Sequence, residues 1–402
     1  MKVQIKKGRA AGTVSAPPSK SMAHRNLICG AFSEGSEISG VQMSKDIEAT
    51  LNCLKGLGAD VQVSSETVRI GGLKLDAPFE NRIFCNESGS TLRFMIPICL
   101  LFDKEITLGG TKRLFQRSLD VYSELCEKEG LEFRLSEDSV TVKGPLKSGV
   151  YELRGNVSSQ FISGLLFALP HCHGESVIKI IGELESASYI GLTLNALRSF
   201  GIKINCPDNR TFIIEGSQTF QARKARVEGD YSNAAFFDAL NMLGHCVSVT
   251  GLDEMSAQGD RVYNELFERI EKRDFPIDIS DCPDLGPILF AVSAVKGIGE
   301  FTGTHRLRIK ESDRALAMKT ELSKFGAEVN VEENSVAVVC NSLRKPSDPI
   351  SGHNDHRIVM SAAILCTLTG GVIDGAEAVT KSFPDFFDRL SVLGIEVEKS
   401  DT

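Results

Sequence analysis

Five places along the chain share one pattern: an amphipathic helix, a glycine, then alternating apolar and polar residues. They read Leu57-Gly58-Ala59-Asp60-Val61, Glu129-Gly130-Leu131-Glu132-Phe133, Phe200-Gly201-Ile202-Lys203-Ile204, Phe325-Gly326-Ala327-Glu328-Val329 and Leu393-Gly394-Ile395-Glu396-Val397. A glycine just past a helix adopts the left-handed backbone that closes it. The period-2 run after it predicts a strand. The glycines recur about every 70 residues, except that Gly201 and Gly326 lie about two periods apart. A helix at Arg261–Lys272, ending in charge before a strand at Ile277–Ile279, fills that gap. The pattern therefore predicts six units.

Each unit also carries an earlier helix that is apolar nearly all round: Ala23–Phe32, Ser90–Phe102, Ser159–Leu169, Ser232–Leu243, Pro287–Val295 and Arg357–Leu368. Such helices belong in a core. The later helices, such as Asp46–Leu57 and Glu311–Phe325, carry charge on one face. Two helices among short strands, six times over, predict an α/β protein with two domains of three repeats. The length of 402 residues also asks for two cores rather than one.

The buried helices open on polar residues: Ser19-Lys20-Ser21, Ser88-Gly89-Ser90-Thr91, Ser158-Ser159-Gln160, Asp230-Tyr231-Ser232-Asn233, Pro283-Asp284 and Asn354-Asp355-His356. Taken singly, these are ordinary helix caps. Together with Lys20, Arg25, Arg93, Arg117, Lys310, Arg314, Arg357 and Lys381 they suggest anion binding, because helix starts present free N–H groups and a positive dipole end. Arg25, Arg93 and Arg357 sit within apolar helices, where an unpaired charge is costly. Each needs a carboxylate or a bound anion; Glu311, Asp313 and Asp355 could serve as partners. The surplus of cations points to a positive cleft for a small, multiply charged anion.

The net charge of −8 argues against a nucleic-acid binder but not against an anionic substrate. No P-loop and no Gly-x-Gly-x-x-Gly after a strand is present. Eleven cysteines, none in a Cys-x-x-Cys pair, fit free thiols in a reducing cytoplasm. His171-Cys172-His173 has the look of a metal tract but lacks a second ligand cluster, and no metal-ligand spacing stands out elsewhere. The N-terminus has no secretory h-region, and no apolar stretch reaches membrane-span length. Residues alone lead to an anion-binding α/β enzyme acting on phosphate or carboxylate compounds.

Six motifs then carry a resemblance. Pro18-Ser19-Lys20-Ser21-Met22-Ala23-His24-Arg25, Ser88-Gly89-Ser90-Thr91-Leu92-Arg93, Ser158-Ser159-Gln160-Phe161, Arg308-Ile309-Lys310-Glu311-Ser312-Asp313-Arg314, Asn354-Asp355-His356-Arg357 and Lys381-Ser382-Phe383-Pro384-Asp385-Phe386 resemble, in order, the signatures of the EPSP synthase family of enolpyruvyl transferases. The resemblance implies two domains, each of three βαβαββ-type repeats in an inverted α/β barrel-like arrangement. One would span residues 19–227 and the other 1–18 plus 228–402, joined by two crossovers. It implies transfer of the enolpyruvyl group of phosphoenolpyruvate (PEP) to the 5-hydroxyl of shikimate 3-phosphate, a step towards chorismate and the aromatic amino acids. It further implies a monomer with no metal or organic cofactor.

By the same resemblance, Lys20, Ser21, Arg25, Ser158, Ser159, Gln160, Ser186, Asp284 and Lys310 would contact shikimate 3-phosphate. Lys20, Gly89, Arg93, Arg117, Gln160, Arg314, Arg357 and Lys381 would contact PEP. Asp284 would be the base for the 5-hydroxyl, and Glu311, with Lys20 and Lys381 close by, the proton relay to the PEP methylene. The chemistry matches this inventory, since an acid and a base must flank the reacting carbon while fixed cations steady the carboxylate and phosphate. Sites split between two domains favour closure on the substrate. Glu87, Phe94 and Ser118 depart from residues common in the family. Gly89, lacking a side chain, suggests an open pocket floor and inhibition by glyphosate. A sister family acting on UDP-N-acetylglucosamine uses a loop cysteine, which Gly110–Arg117 lacks. A silent anion-binding protein of this fold would have no need of Lys20, Asp284, Glu311 and Lys381 together.

Overall fold

Side-chain caps set where the inner helices begin. In the computed structural model, which describes residues 1–76 and 79–400, Ser19, Ser88, Ser158, Asp230 and Asp355 cap the helices Lys20–Ala31, Gly89–Cys99, Ser159–Ala168, Tyr231–Met242 and His356–Thr369. Each accepts a hydrogen bond from a backbone N–H of the first turn. The remaining inner helix, Gly286–Lys296, has a proline in its first turn and follows the 3₁₀ turn Pro283–Leu285. The cap, not the first apolar residue, defines the start, so most of these helices begin slightly earlier than the hydrophobic pattern predicts. They are core elements: every residue from Ala23 to Ala31 and from His356 to Thr367 is buried.

The helix expected at Glu311–Phe325 is shorter. It spans Arg314–Lys324 with Asp313 as its cap, and leaves Glu311 and Ser312 on the approaching loop. That places Glu311 outside the helix and next to the arginine that opens it.

All five repeat glycines take positive φ: Gly58, Gly130, Gly201, Gly326 and Gly394. The sixth helix, Tyr263–Lys272, ends instead on Arg273, held left-handed at φ 57°. A side chain there opposes the steric preference that makes glycine the usual choice.

The strands explain the irregular spacing. Among the described residues six sheets form, five of them four-stranded with one pairing pattern. In Arg82–Phe84, Ile106–Gly109, Ser139–Lys143 and Glu132–Leu135, the first pair is parallel and the next two antiparallel. The register sets Ile106 opposite Val142 and Leu108 opposite Val140, all buried. This sends one face inward, as alternation requires. The sixth sheet is only Ala11–Ser15 beside Cys246–Thr250. No hairpin follows the helix Tyr263–Lys272. The chain runs from Arg273 into Ile277–Asp278, which pairs parallel with Phe301–Thr302 and opens the next sheet. The expected strand at Ile277–Ile279 thus exists but belongs to the following repeat.

The chain divides into two compact units. One is Pro18–Glu228; the other joins Met1–Pro17 to Gly229–Thr402. Each has its own apolar core, around Leu27, Met95 and Leu165 in the first and Phe237, Phe290 and Ile364 in the second. Both are α/β layers of sheet and buried helix.

All eleven cysteines are free thiols, nine of them buried. His171 follows the helix Ser159–Ala168 and packs its ring against Phe32 and Phe220, at 4.0 and 5.0 Å between centroids. His173 bonds Ser217. Packing accounts for this tract. Among the described residues no helix is long and apolar enough to cross a membrane.

Candidate active site

In the unit Gly229–Thr402, cations and carboxylates alternate around one arginine. Arg314 is almost wholly buried, and its Nε lies 2.9 Å from Asp355 Oδ2, its Nη1 2.8 Å from Asp284 Oδ1 and its Nη2 2.7 Å from Glu311 Oε2. Asp284 is shared further. Lys310 Nζ is 3.2 Å from its Oδ1 and Arg357 Nη2 is 2.9 Å from its Oδ2. Arg357 also donates to Asp284 O and Ser232 Oγ, each at 2.9 Å. Ser312 donates to Asp355 Oδ2 at 3.0 Å. Lys381, buried at the end of the 3₁₀ stretch Ala376–Lys381, donates to Asn354 O at 2.7 Å, one residue before the Asp355 cap.

Burial alone would raise the Asp284 carboxyl. Arg357, Lys310 and Arg314 outweigh it and hold the group well below the usual carboxylate range. Asp355 is lowered in the same way, burial being overcome mainly by Arg314. Burial brings Lys310 down to about 8, with Asp284 opposing and Arg314 and Arg306 reinforcing the shift. Arg314 moves upward despite burial, because Asp355, Glu311 and Asp284 surround it.

In the unit Pro18–Glu228, Lys20, Arg25 and Arg93 lie in the first two turns of helices. Lys20 Nζ is 2.7 Å from Asp46 Oδ2. Arg25 donates from Nε to Thr193 Oγ1 at 2.9 Å, from Nη1 to Ser21 O at 2.7 Å and from Nη2 to Tyr189 O at 2.9 Å. Gln160 joins two helix starts: it accepts from Arg93 Nη1 at 2.8 Å and donates to Ser90 Oγ at 2.9 Å. The Arg93 guanidinium lies 5.1 Å over the Phe161 ring. Ser158 caps Gln160, and Ser159 is buried at the start of the same helix. Ser186 is left-handed at φ 54° and leads the helix that carries Tyr189 and Thr193. Asn86, His353 and Asn354 are also non-glycine residues at positive φ beside these motifs. Strained backbone of this kind gathers at functional sites.

Gly89 does not leave an open floor. A Cβ there would stand 2.5 Å from Arg117 Nη1, so the guanidinium occupies the space the missing side chain leaves.

Two further findings adjust the sequence expectations. The cation surplus is smaller than the local sequence implies, since Asp46 and Asp284 arrive from distant segments as counter-ions beside Asp355. The structure also adds residues that the sequence reading gave no contact: Asp46, Ser90, Thr193, Ser232 and Ser312. Ser90, Ser232 and Ser312 lie within the quoted inner-helix starts and motifs, whereas Asp46 and Thr193 lie outside them and carry no signal in the sequence. Glu311, Arg314, Asp284, Lys310 and Arg357 fall into one cluster with Lys381 one residue away. Lys20, Ser21, Arg25, Gly89, Arg93, Ser158, Ser159, Gln160 and Ser186 lie on or near helix starts of the other unit, and Arg117 comes from a loop to Gly89.

A family model described as EPSP synthase (3-phosphoshikimate 1-carboxyvinyltransferase) matches residues 5–390. The chain belongs to the EPSP synthase family. It is 39% identical to the 3-phosphoshikimate 1-carboxyvinyltransferase of Clostridium kluyveri, covering 99% of this chain and 98% of that protein. The Clostridioides difficile protein of the same name is 37% identical, over 99% and 98%. Among solved structures, EPSP synthase from Acinetobacter baumannii superposes with a TM-score of 0.78 at 22% identity, covering both chains completely. The enolpyruvyl transferase NikO from Streptomyces tendae gives 0.74 at 14% identity, over 99% of this chain and 98% of that one. At those identities the two structures speak for the fold alone, which is that of the enolpyruvyl transferases.

Proposed function

We propose that the chain transfers the enolpyruvyl group of PEP to the 5-hydroxyl of shikimate 3-phosphate, releasing phosphate through a tetrahedral intermediate. The observation that carries this reading is Asp284. One carboxylate is shared by Lys310 and Arg314, from one family signature, and Arg357, from another, with a second carboxylate, Glu311, on Arg314.

The reaction must take a proton from the 5-hydroxyl and deliver one to C3 of PEP. Asp284 is the base and Glu311 the relay, with Lys20 and Lys381 assisting. In the arrangement described above Asp284 is a poor base, because three cations stabilise its ionised form. Anionic substrates change that. The PEP carboxylate and phosphate compete for Arg314 and Arg357, and each cation withdrawn raises the proton affinity of Asp284. Binding therefore prepares the base. Arg314, Arg357 and Lys381, with Lys20, Arg93, Arg117 and Gln160, take PEP and steady charge as it moves between carboxylate, C2 and phosphate. Lys20, Ser21, Arg25, Ser158, Ser159, Gln160, Ser186 and Lys310 take shikimate 3-phosphate.

Glyphosate, which carries charges like those of PEP, inhibits by competing for the same cations. The protein works as a monomer in the cytoplasm, a compartment consistent with its free thiols. Phosphate release measured with both substrates, and with each omitted, tests the reading. Phosphate should appear only when both are present; release from PEP alone, or none with both, removes it.

A further inference from the structure

Arg25 differs from Arg314 and Arg357 in its surroundings. It is 3% exposed, and among the described residues no carboxylate lies within ion-pair distance of it. Its charge is held entirely by neutral groups. The Nε bond goes to the Thr193 hydroxyl, and the two Nη bonds go to the carbonyls of Ser21 and Tyr189. The Phe94 ring backs the guanidinium at 5.4 Å from its centroid.

Hydrogen counting fixes the role of Thr193. Its oxygen has one hydrogen to donate and two lone pairs to accept with. It lies 2.9 Å from Arg25 Nε, 2.8 Å from Ser163 Oγ and 3.2 Å from Tyr189 O. Arg25 Nε can only donate and Tyr189 O can only accept. Thr193 therefore accepts from Arg25, donates to Tyr189 O and accepts from Ser163. Tyr189 O in turn accepts from both Thr193 Oγ1 and Arg25 Nη2. The set ties together three helices, those carrying Arg25, Ser163 and Thr193. Of the five guanidinium N–H groups, three are committed to the protein and two remain for a ligand.

We propose that Thr193, fixed by Ser163 and backed by Phe94, is a positioning residue that orients the Arg25 guanidinium towards the anionic substrate. The inference rests on Arg25 belonging to the shikimate 3-phosphate site. A buried arginine without a carboxylate partner would turn towards any other acceptor in reach if Nε were released. Thr193 removes that freedom without neutralising the charge the ligand requires. An acidic residue at position 193 would satisfy Nε equally well but would cancel the charge.

Initial-rate kinetics on purified full-length variants test this. Thr193→Val should raise KM for shikimate 3-phosphate about tenfold, as expected for losing a hydrogen bond to a charged group. It should leave kcat and KM for PEP within about twofold. Thr193→Ser keeps the hydroxyl and should restore KM. In an Arg25→Lys background, Thr193→Val should add less than twofold, because the Nε donor is gone. A merely structural role would instead change kcat and both KM values together, would not be rescued by serine and would persist in the Arg25→Lys background. Should Thr193→Val fail to fold, Ser163→Ala removes only the hydroxyl that fixes Thr193. It should raise the same KM about threefold, with the other constants unmoved. A wild type that turns over while these variants keep its KM for shikimate 3-phosphate overturns the inference alone. A wild type that releases no phosphate from the two substrates overturns the assigned reaction and this inference with it.

Discussion

Arg314 Nη1 rests 2.8 Å from Asp284 Oδ1, although 30 residues of chain separate the two. Asp284 lies on the turn Pro283–Leu285 and Arg314 opens the helix capped by Asp313, so the contact joins the entrances of two helices. It also makes the proposed base and a proposed PEP ligand partners before any substrate arrives.

The pairing sets the outcome of replacing Asp284. Asp284→Asn leaves Lys310, Arg314 and Arg357 without their shared carboxylate. Turnover should fall about 10²–10⁴-fold, as for loss of a positioned base. Shikimate 3-phosphate binding should persist, because the cations remain. Stopped-time phosphate assays and calorimetric titration separate the two effects. Unchanged kcat would show that Asp284 is not the base.

Substrate binding should also move the acid limb of the pH profile. In the free protein Arg357, Lys310 and Arg314 hold Asp284 low against burial. Anions that draw off Arg314 and Arg357 raise it. The acid limb of kcat should therefore lie at higher pH than that of kcat/KM, since the first reports the bound enzyme and the second the free one. Coincident limbs would mean that the cations never leave Asp284.

Lys310 gives the alkaline counterpart. Burial lowers it to about 8, against 10.5 for an unperturbed lysine. Between those values the unfolded chain binds the proton that the folded one has lost, so this residue's contribution to stability rises with pH across the window. With Lys310 as a proposed ligand of shikimate 3-phosphate, binding should run the other way, because the deprotonated amine no longer attracts an anion. KM for shikimate 3-phosphate should climb above pH 8 in the wild type. Lys310→Arg, which stays charged, should flatten that limb.

Gly89→Ala tests the contact with Arg117. The added Cβ would meet the guanidinium at 2.5 Å, and the flexible end of the arginine is what must yield. KM for PEP and the inhibition constant for glyphosate should each rise roughly tenfold or more, given how steeply activity depends on placement. Thermal stability should change little. Unaltered PEP and glyphosate constants would place Arg117 outside the PEP site.

Much of this fold is legible in the sequence, because local physics writes it. Ser19, Ser88, Ser158, Asp230 and Asp355 cap where polar residues precede apolar runs, and Gly58, Gly130, Gly201, Gly326 and Gly394 close helices where the pattern changes from 3.6 to 2. Arg273 is invisible to such reading. It takes the left-handed position without being glycine, and the hairpin that should follow it is missing. The site splits along the same line. Lys20, Arg25, Arg93, Gln160 and Arg314 can be picked out from motifs, but several of their pairings cannot. Asp46 for Lys20, Asp284 for Arg314 and Thr193 for Arg25 come from remote segments, and only folding selects them. Gly89 shows the converse: its small size is plain in the sequence, while the Arg117 guanidinium that exploits it is not.

Arg273→Gly offers a check on the repeat itself. Relieving a side chain at φ 57° should offset the entropy that glycine adds to the unfolded chain and stabilise by about 0.5–1 kcal/mol. Gly326→Ala, at φ 93° and 3.1 Å from Ser342 O, should destabilise by about 1 kcal/mol or more. Urea unfolding midpoints compare the two. A destabilised Arg273→Gly would show that the arginine side chain contributes more than its backbone costs.

Following PEP and shikimate 3-phosphate together by phosphorus NMR, with the wild-type protein at neutral pH, decides the matter most directly. The PEP resonance should decline as inorganic phosphate grows in equal amount, while the shikimate phosphorus persists in a shifted, enolpyruvylated product. If PEP stays intact beside shikimate 3-phosphate, or is consumed with UDP-N-acetylglucosamine instead, the reaction assigned to Asp284 and Glu311 is not the one this protein performs.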